Sequence, residues 1–138
     1  MATTIDQLRQ VPLFHGLKDH DLKKVLEAGK EVRHEAGKTI LETDESGIGF
    51  HLVRDGQAEV LVGGAVVRTV GPGTYFGEMS VIDGGPRSAT VRATMDLVTF
   101  SVPAWTFQDL IDKHPSLAKA LLVELCSRIR KIDAGVTH

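Results

Sequence analysis

Two side chains of opposite charge, Glu78 and Arg87, stand nine positions apart in the stretch Gly71 to Val91, GPGTYFGEMSVIDGGPRSATV. Gly71-Pro72-Gly73 opens this stretch, and Gly84-Gly85-Pro86 lies inside it. Between these breakers FGEMSVI is short and apolar-spaced, with Glu78 as its single acid. A glycine-flanked turn beside a short helix exposes backbone N–H groups, and such groups attract an anion. Arg87 directly follows the Gly-Gly-Pro turn, which holds its guanidinium near that site, where it can fork onto phosphate oxygens. An ionised Glu78 only accepts hydrogen bonds, so it suits a ligand hydroxyl and not the same phosphate. An anion reader and a hydroxyl reader in one cassette point to a sugar phosphate or a nucleotide. Residue types alone favour a surface Arg–Glu ion pair or two solvated side chains.

The order of the residues narrows the choice. FGEMSVIDGGPRSATV closely resembles the phosphate-binding cassette of the cyclic nucleotide-binding domain family. That family includes regulatory subunits of cAMP-dependent protein kinase, cyclic-nucleotide-gated channels and bacterial catabolite activator proteins. The shared pattern is F-G-E, a short apolar helix, a turn, then P-R-(A/S/T)-A-(T/S)-V, and every part is present in order and without gaps. The resemblance implies that Arg87 pairs with the cyclic phosphate and that Glu78 accepts the ribose 2′-hydroxyl. It also implies that backbone N–H groups of Gly77 and of Ser88 or Ala89 complete the phosphate site. Gly77 has no side chain, so backbone can approach the ligand closely. Phe76 and Met79, with Val81, Ile82 and Val91, are expected to form core and pocket wall. In the family, alanine after the arginine accompanies cAMP preference and threonine accompanies cGMP binding. Ser88 lies between them, so cAMP is expected ahead of cGMP by a small margin. The base contact comes from the final helix or beyond, where Leu125, Arg128 and Ile129 are candidates. No cofactor is implied besides the cyclic nucleotide ligand.

A roll of short strands must position this cassette. From Glu31 to Val102 the hydrophobic period is two, with β-rich runs at 32–34, 39–41, 49–53, 58–62, 65–70, 89–93 and 97–100. Turn signals separate the runs, and Gly63-Gly64 reads as a two-residue hairpin. Many short strands at steady spacing indicate an antiparallel sandwich or barrel, of which the jelly roll is a common form. Residues 3–30 read as helical, with Thr4 or Asp6 as a first cap, a second helix from Asp19 to Glu27, and Gly29 as its C-cap. Pro103 suits the first turn of a helix through Ile111, with Trp105, Phe107 and Leu110 as its bulky apolar residues. His114-Pro115-Ser116 ends that helix and begins a last one, striped by Leu117, Leu121, Leu125, Ile129 and Ile132. The expected fold is mainly β with flanking helices: an antiparallel β-roll or jelly roll preceded by N-terminal helices and followed by two C-terminal helices. We expect one domain over 1–138, helical over 1–30, a roll over 31–102 containing the cassette 75–91, and helices over 103–133.

Composition excludes several classes. At 138 residues and 42% hydrophobic, the chain has material for one core. Sixteen basic and 18 acidic residues give a net charge of −2, which offers no general attraction to nucleic acid or to anionic lipid. Apolar runs fall far short of the roughly 20 residues that span a membrane, and MATTIDQLRQ lacks the apolar core of a secretory signal. Cys126 is the only cysteine, so no internal disulfide forms, a cytoplasmic setting is expected, and Cys126 reads as a small core or interface residue. His15 and His20 read as exposed and not metal-binding. His34, His51 and His114 are scattered and no His-x-His pair occurs, which argues against a cupin-type metal enzyme. Arg128, Arg130 and Lys131 match the dipole of a helix end better than they match a nucleic-acid surface. A DNA-binding regulator would need a helix-turn-helix beyond His138. The expected function is therefore a non-enzymatic cyclic nucleotide sensor whose C-terminal helices shift on binding. The alternative is the ligand-binding fragment of a larger cAMP-regulated channel, transporter, kinase, acyltransferase or transcription regulator. The exposed part of the last stripe is the expected surface for a second copy or an effector domain.

Overall fold

Thr4 starts the first helix, α1 (Ile5–Arg9), through a capping box: its hydroxyl accepts from the Gln7 N–H while the Gln7 side chain accepts from the Thr4 N–H. A computed structural model describes this and the rest of residues 3–41, 49–77 and 89–136. A 3₁₀ turn (Pro12–Phe14) leads to α2 (Asp19–Ala28), which runs one residue past its expected end. Gly29 is its C-cap, in extended rather than left-handed backbone. Glycine is needed there for space, since a Cβ would press into the Phe100 ring and lie 2.9 Å from the Ser101 carbonyl.

Eight described strands follow: β1 (Lys30–His34), β2 (Thr39–Leu41), β3 (Gly49–Asp55), β4 (Ala58–Val62), β5 (Ala65–Val70), β6 (Tyr75–Phe76), β7 (Thr90–Ala93) and β8 (Leu97–Pro103). They form two antiparallel sheets, ordered β1-β8-β3-β6 and β2-β7-β4-β5. Two helices close the chain, α3 (Ala104–Lys113) and α4 (Pro115–Val136). The β4–β5 hairpin turns on Gly63 and Gly64 with φ of +59° and +82°, the left-handed pair that a two-residue turn requires. The expected β-roll between helices is the observed architecture.

Alternation along β3 separates two cores. Phe50 and Leu52 face the helices, where they join Leu8, Phe14, Leu22, Val25, Phe107, Leu110, Leu117 and Leu121. Phe50 is central to this layer, its ring stacked on Phe107 at 4.3 Å and tilted against Tyr75 at 5.2 Å and Phe14 at 6.2 Å. Val53 faces the other way, into an inter-sheet core with Ala58, Val60, Val70, Phe76, Val91, Ala93 and Leu97. Both layers remove apolar area from water on folding, which is the main stabilising contribution.

Four features differ from the reading of the sequence. β6 was not foreseen, because two residues carry no readable period. Trp105 is 74% exposed and contributes nothing to the core, although Phe107 and Leu110 on the same helix are buried. The stripe along α4 is buried only as far as Leu121; Ile129 and Ile132 are 56% and 64% exposed. A 22-residue helix is about 33 Å long and outruns the roll that covers its first turns. Cys126 lies beyond that cover and is exposed, so it is not a core residue.

Candidate functional site

Two strands bracket the cassette, and they belong to different sheets. β6 is the edge of the first sheet, while β7 lies inside the second between β2 and β4. Gly77 and Ala89, which flank the undescribed part of the cassette, therefore adjoin strands of different sheets. Phe76 ends β6 and is 1% exposed, packed in that core. Gly77 follows with φ of +90°, backbone that other residues rarely adopt, so glycine is required for conformation. On the far side Ala89 is half-buried against the same core, and Val91 belongs to it. Phe76 and Val91 are thus core-facing walls. Glu78, Met79, Val81, Ile82, Arg87 and Ser88 lie outside the described residues.

The last helix reaches the edge of this site. The Arg128 guanidinium carbon sits 5.8 Å from the centroid of the Tyr75 ring, one residue before Phe76, and its Nε lies 3.3 Å from the Glu124 carboxylate. Arg68 on β5, Lys119 and Arg128 share a groove of about 610 Å³ with Tyr75, Val123 and the 3₁₀ turn. With Glu124 as the one acid among its lining residues, the groove keeps an excess of positive charge, which favours anionic groups at its mouth. Of the base-contact candidates, Arg128 and Leu125 are half-buried and Ile129 is exposed. Sequence reasoning passed over Tyr75 and His51, which stacks on Phe76. Tyr75 was inside the cassette stretch, and His51 occupies an inward position that the period of two along β3 would have revealed. Among the described residues, no group of three His, Cys, Asp or Glu could hold a metal ion, and no helix is long and apolar enough to cross a membrane.

The cyclic nucleotide-binding domain family model matches residues 31–114, from β1 to the end of α3 and through the whole cassette. The chain belongs to this family. The cAMP-dependent protein kinase regulatory subunit of Schizosaccharomyces pombe is 36% identical over 107 residues, which cover 75% of this chain and 26% of that protein. The Thermus thermophilus catabolite activator protein superposes with a TM-score of 0.78 at 30% identity, covering 91% of this chain and 62% of that one. The regulatory domain of Toxoplasma gondii PKA, crystallised with cAMP, superposes with a TM-score of 0.78 at 25% identity, covering 90% and 48%. This cyclic nucleotide-binding domain spans about a quarter of the length of the curated relatives it matches.

Proposed function

We propose that this domain is a non-catalytic sensor that binds cAMP in preference to cGMP and reports binding through its C-terminal helices. The family match over residues 31–114 carries the reading, because it contains Glu78 and Arg87 in their family order. A 3′,5′-cyclic phosphate has one negative charge and two exocyclic oxygens, which fit the fork of Arg87. Backbone N–H groups of Gly77 and of Ser88 or Ala89 complete the phosphate site, and Glu78 takes the free 2′-hydroxyl. Phe76 and Met79 serve as wall. The base then lies toward α4, where Arg128 stands by Tyr75 and lines the groove, with Leu125 and Ile129 as further candidates on the same helix. Ligand acts by binding one placement of α4 more tightly than another, since equal affinity would shift nothing.

The partner of α4 is a second copy of the chain. Leu122, Leu125, Ile129 and Ile132 follow the 3-4-3 spacing of a two-helix seam. Leu122, Ile129 and Ile132 are each more than half exposed, so they are open to a partner helix. A single cysteine, which can form no internal disulfide, supports a cytoplasmic setting. Its small share of the relatives' length keeps open that it serves a longer chain whose effector it controls.

Isothermal titration of the whole chain with cAMP and cGMP tests the reading. Wild type is expected to bind cAMP more tightly than cGMP. Arg87→Ala removes a charge-assisted bidentate contact of about 3 kcal/mol and weakens cAMP about a hundredfold. Equal cAMP affinity in wild type and Arg87→Ala would show that the phosphate is held elsewhere.

A further inference from the structure

β6 is lightly held. Its two residues form the edge of the first sheet and pair with β3 through Leu52↔Tyr75 and His51↔Phe76. Phe76 immediately precedes Gly77, where a φ of +90° redirects the chain. At this level a row of three side chains crosses the sheet. Ser101 on β8 and Phe76 on β6 both lie directly opposite His51 on β3, and opposed residues in antiparallel strands share a face. That face is turned to the second sheet, because Phe76 and Val53 both belong to the inter-sheet core.

Within the row the His51 ring stacks on Phe76, centroids 5.0 Å apart and planes 12° from parallel. On its other side Nδ1 lies 2.9 Å from Ser101 Oγ, a hydrogen bond whose donor is set by the ring tautomer. An aliphatic side chain would fill this space and leave the neighbouring ring free to tilt. A flat ring, tethered at one edge and stacked on one face, fixes the angle of Phe76 as well as its position. A polar side chain at an inward position otherwise flanked by Val53 thereby has a reason.

We propose that His51 is a positioning residue for cyclic nucleotide binding: tethered by Ser101, its ring braces Phe76 and sets where Gly77 presents its backbone N–H. This rests on the reading of Gly77 as a phosphate donor. Wild type, His51→Ala, His51→Leu, His51→Phe and Ser101→Ala are compared by cAMP titration and by hydrogen exchange of the ligand-free chain. His51→Ala and His51→Leu are expected to bind cAMP about fivefold more weakly and to exchange the Gly77 amide faster, with β4 amides unchanged. His51→Phe keeps the stack and stays within about twofold of wild type, while Ser101→Ala falls between. Wild-type affinity and exchange in His51→Leu would reduce His51 to simple filling and overturn the proposal. If wild type binds neither cAMP nor cGMP, the functional reading fails, and exchange at Gly77 alone decides whether His51 braces β6.

Discussion

Glu78 and His34 illustrate how single side chains read chemistry in two different ways. Glu78 is assigned a hydroxyl, so Glu78→Gln should weaken cAMP while hardly changing 2′-deoxy-cAMP. Titration of both ligands checks this, and equal losses would remove the hydroxyl assignment. His34 concerns stability. Its Nε2 lies 3.2 Å from the hydroxyl of Thr99, which is fully buried. Burial of the ring, and then the charge of Lys38, hold its pKa below the ordinary 6.5. The unfolded chain therefore takes up this proton first as pH falls. Stability from this group is complete above about pH 6.5 and declines as pH drops below that value toward the folded one. His34→Gln should flatten that part of the slope, measured as urea midpoints at steps between pH 7.5 and 5.

Among the elements, the corner between α3 and α4 decides where the last helix points. His114 interrupts the two helices in extended backbone, and its Nε2 lies 3.1 Å from Oδ1 of Asp21 on α2. Asp21 is only 7% exposed. Ser116 Oγ also donates to the Gly16 carbonyl at 3.4 Å, so the N-terminal segment grips the corner twice. His114→Ala would leave the Asp21 carboxylate buried without this partner, at a cost of about 2–3 kcal/mol. A urea midpoint equal to that of wild type would show that the pair contributes nothing. Gly29→Ala probes the other side of the same layer. Overpacking against Phe100 should lower stability by about 1–3 kcal/mol in the same assay. Strands β4 and β5 were readable to the residue, because a period of two between Gly-rich turns is a local signal. β6 was not, because only its pairing with β3 makes it a strand.

For the whole molecule, two cores share the first sheet, and the helical layer ends before α4 does. The exposed Ile129 and Ile132 then face solvent unless a second copy covers them. Sedimentation should give twice the chain mass for wild type and the single mass for Ile129→Glu/Ile132→Glu. Because both positions are exposed on the single chain, the double variant should keep its fold, read as an unchanged far-UV circular dichroism spectrum. A single mass for wild type would leave the stripe to an effector domain.

Local order in the chain determined the cassette, its Arg87 and Glu78, the hairpin at Gly63-Gly64 and the helix–roll–helix succession. All of these depend on residues close together in sequence, whose spacing is itself the signal. Only the tertiary structure decided that His51 meets Phe76 and Ser101, 25 and 50 positions away, that Asp21 meets His114, and that Trp105 and Ile132 are left uncovered by their own chain. Which inward-facing residues become neighbours is set by strand register and helix docking, and a pattern of apolar and polar residues does not encode either directly. The cassette pattern is legible in one dimension. The row of Ser101, His51 and Phe76 exists only in three.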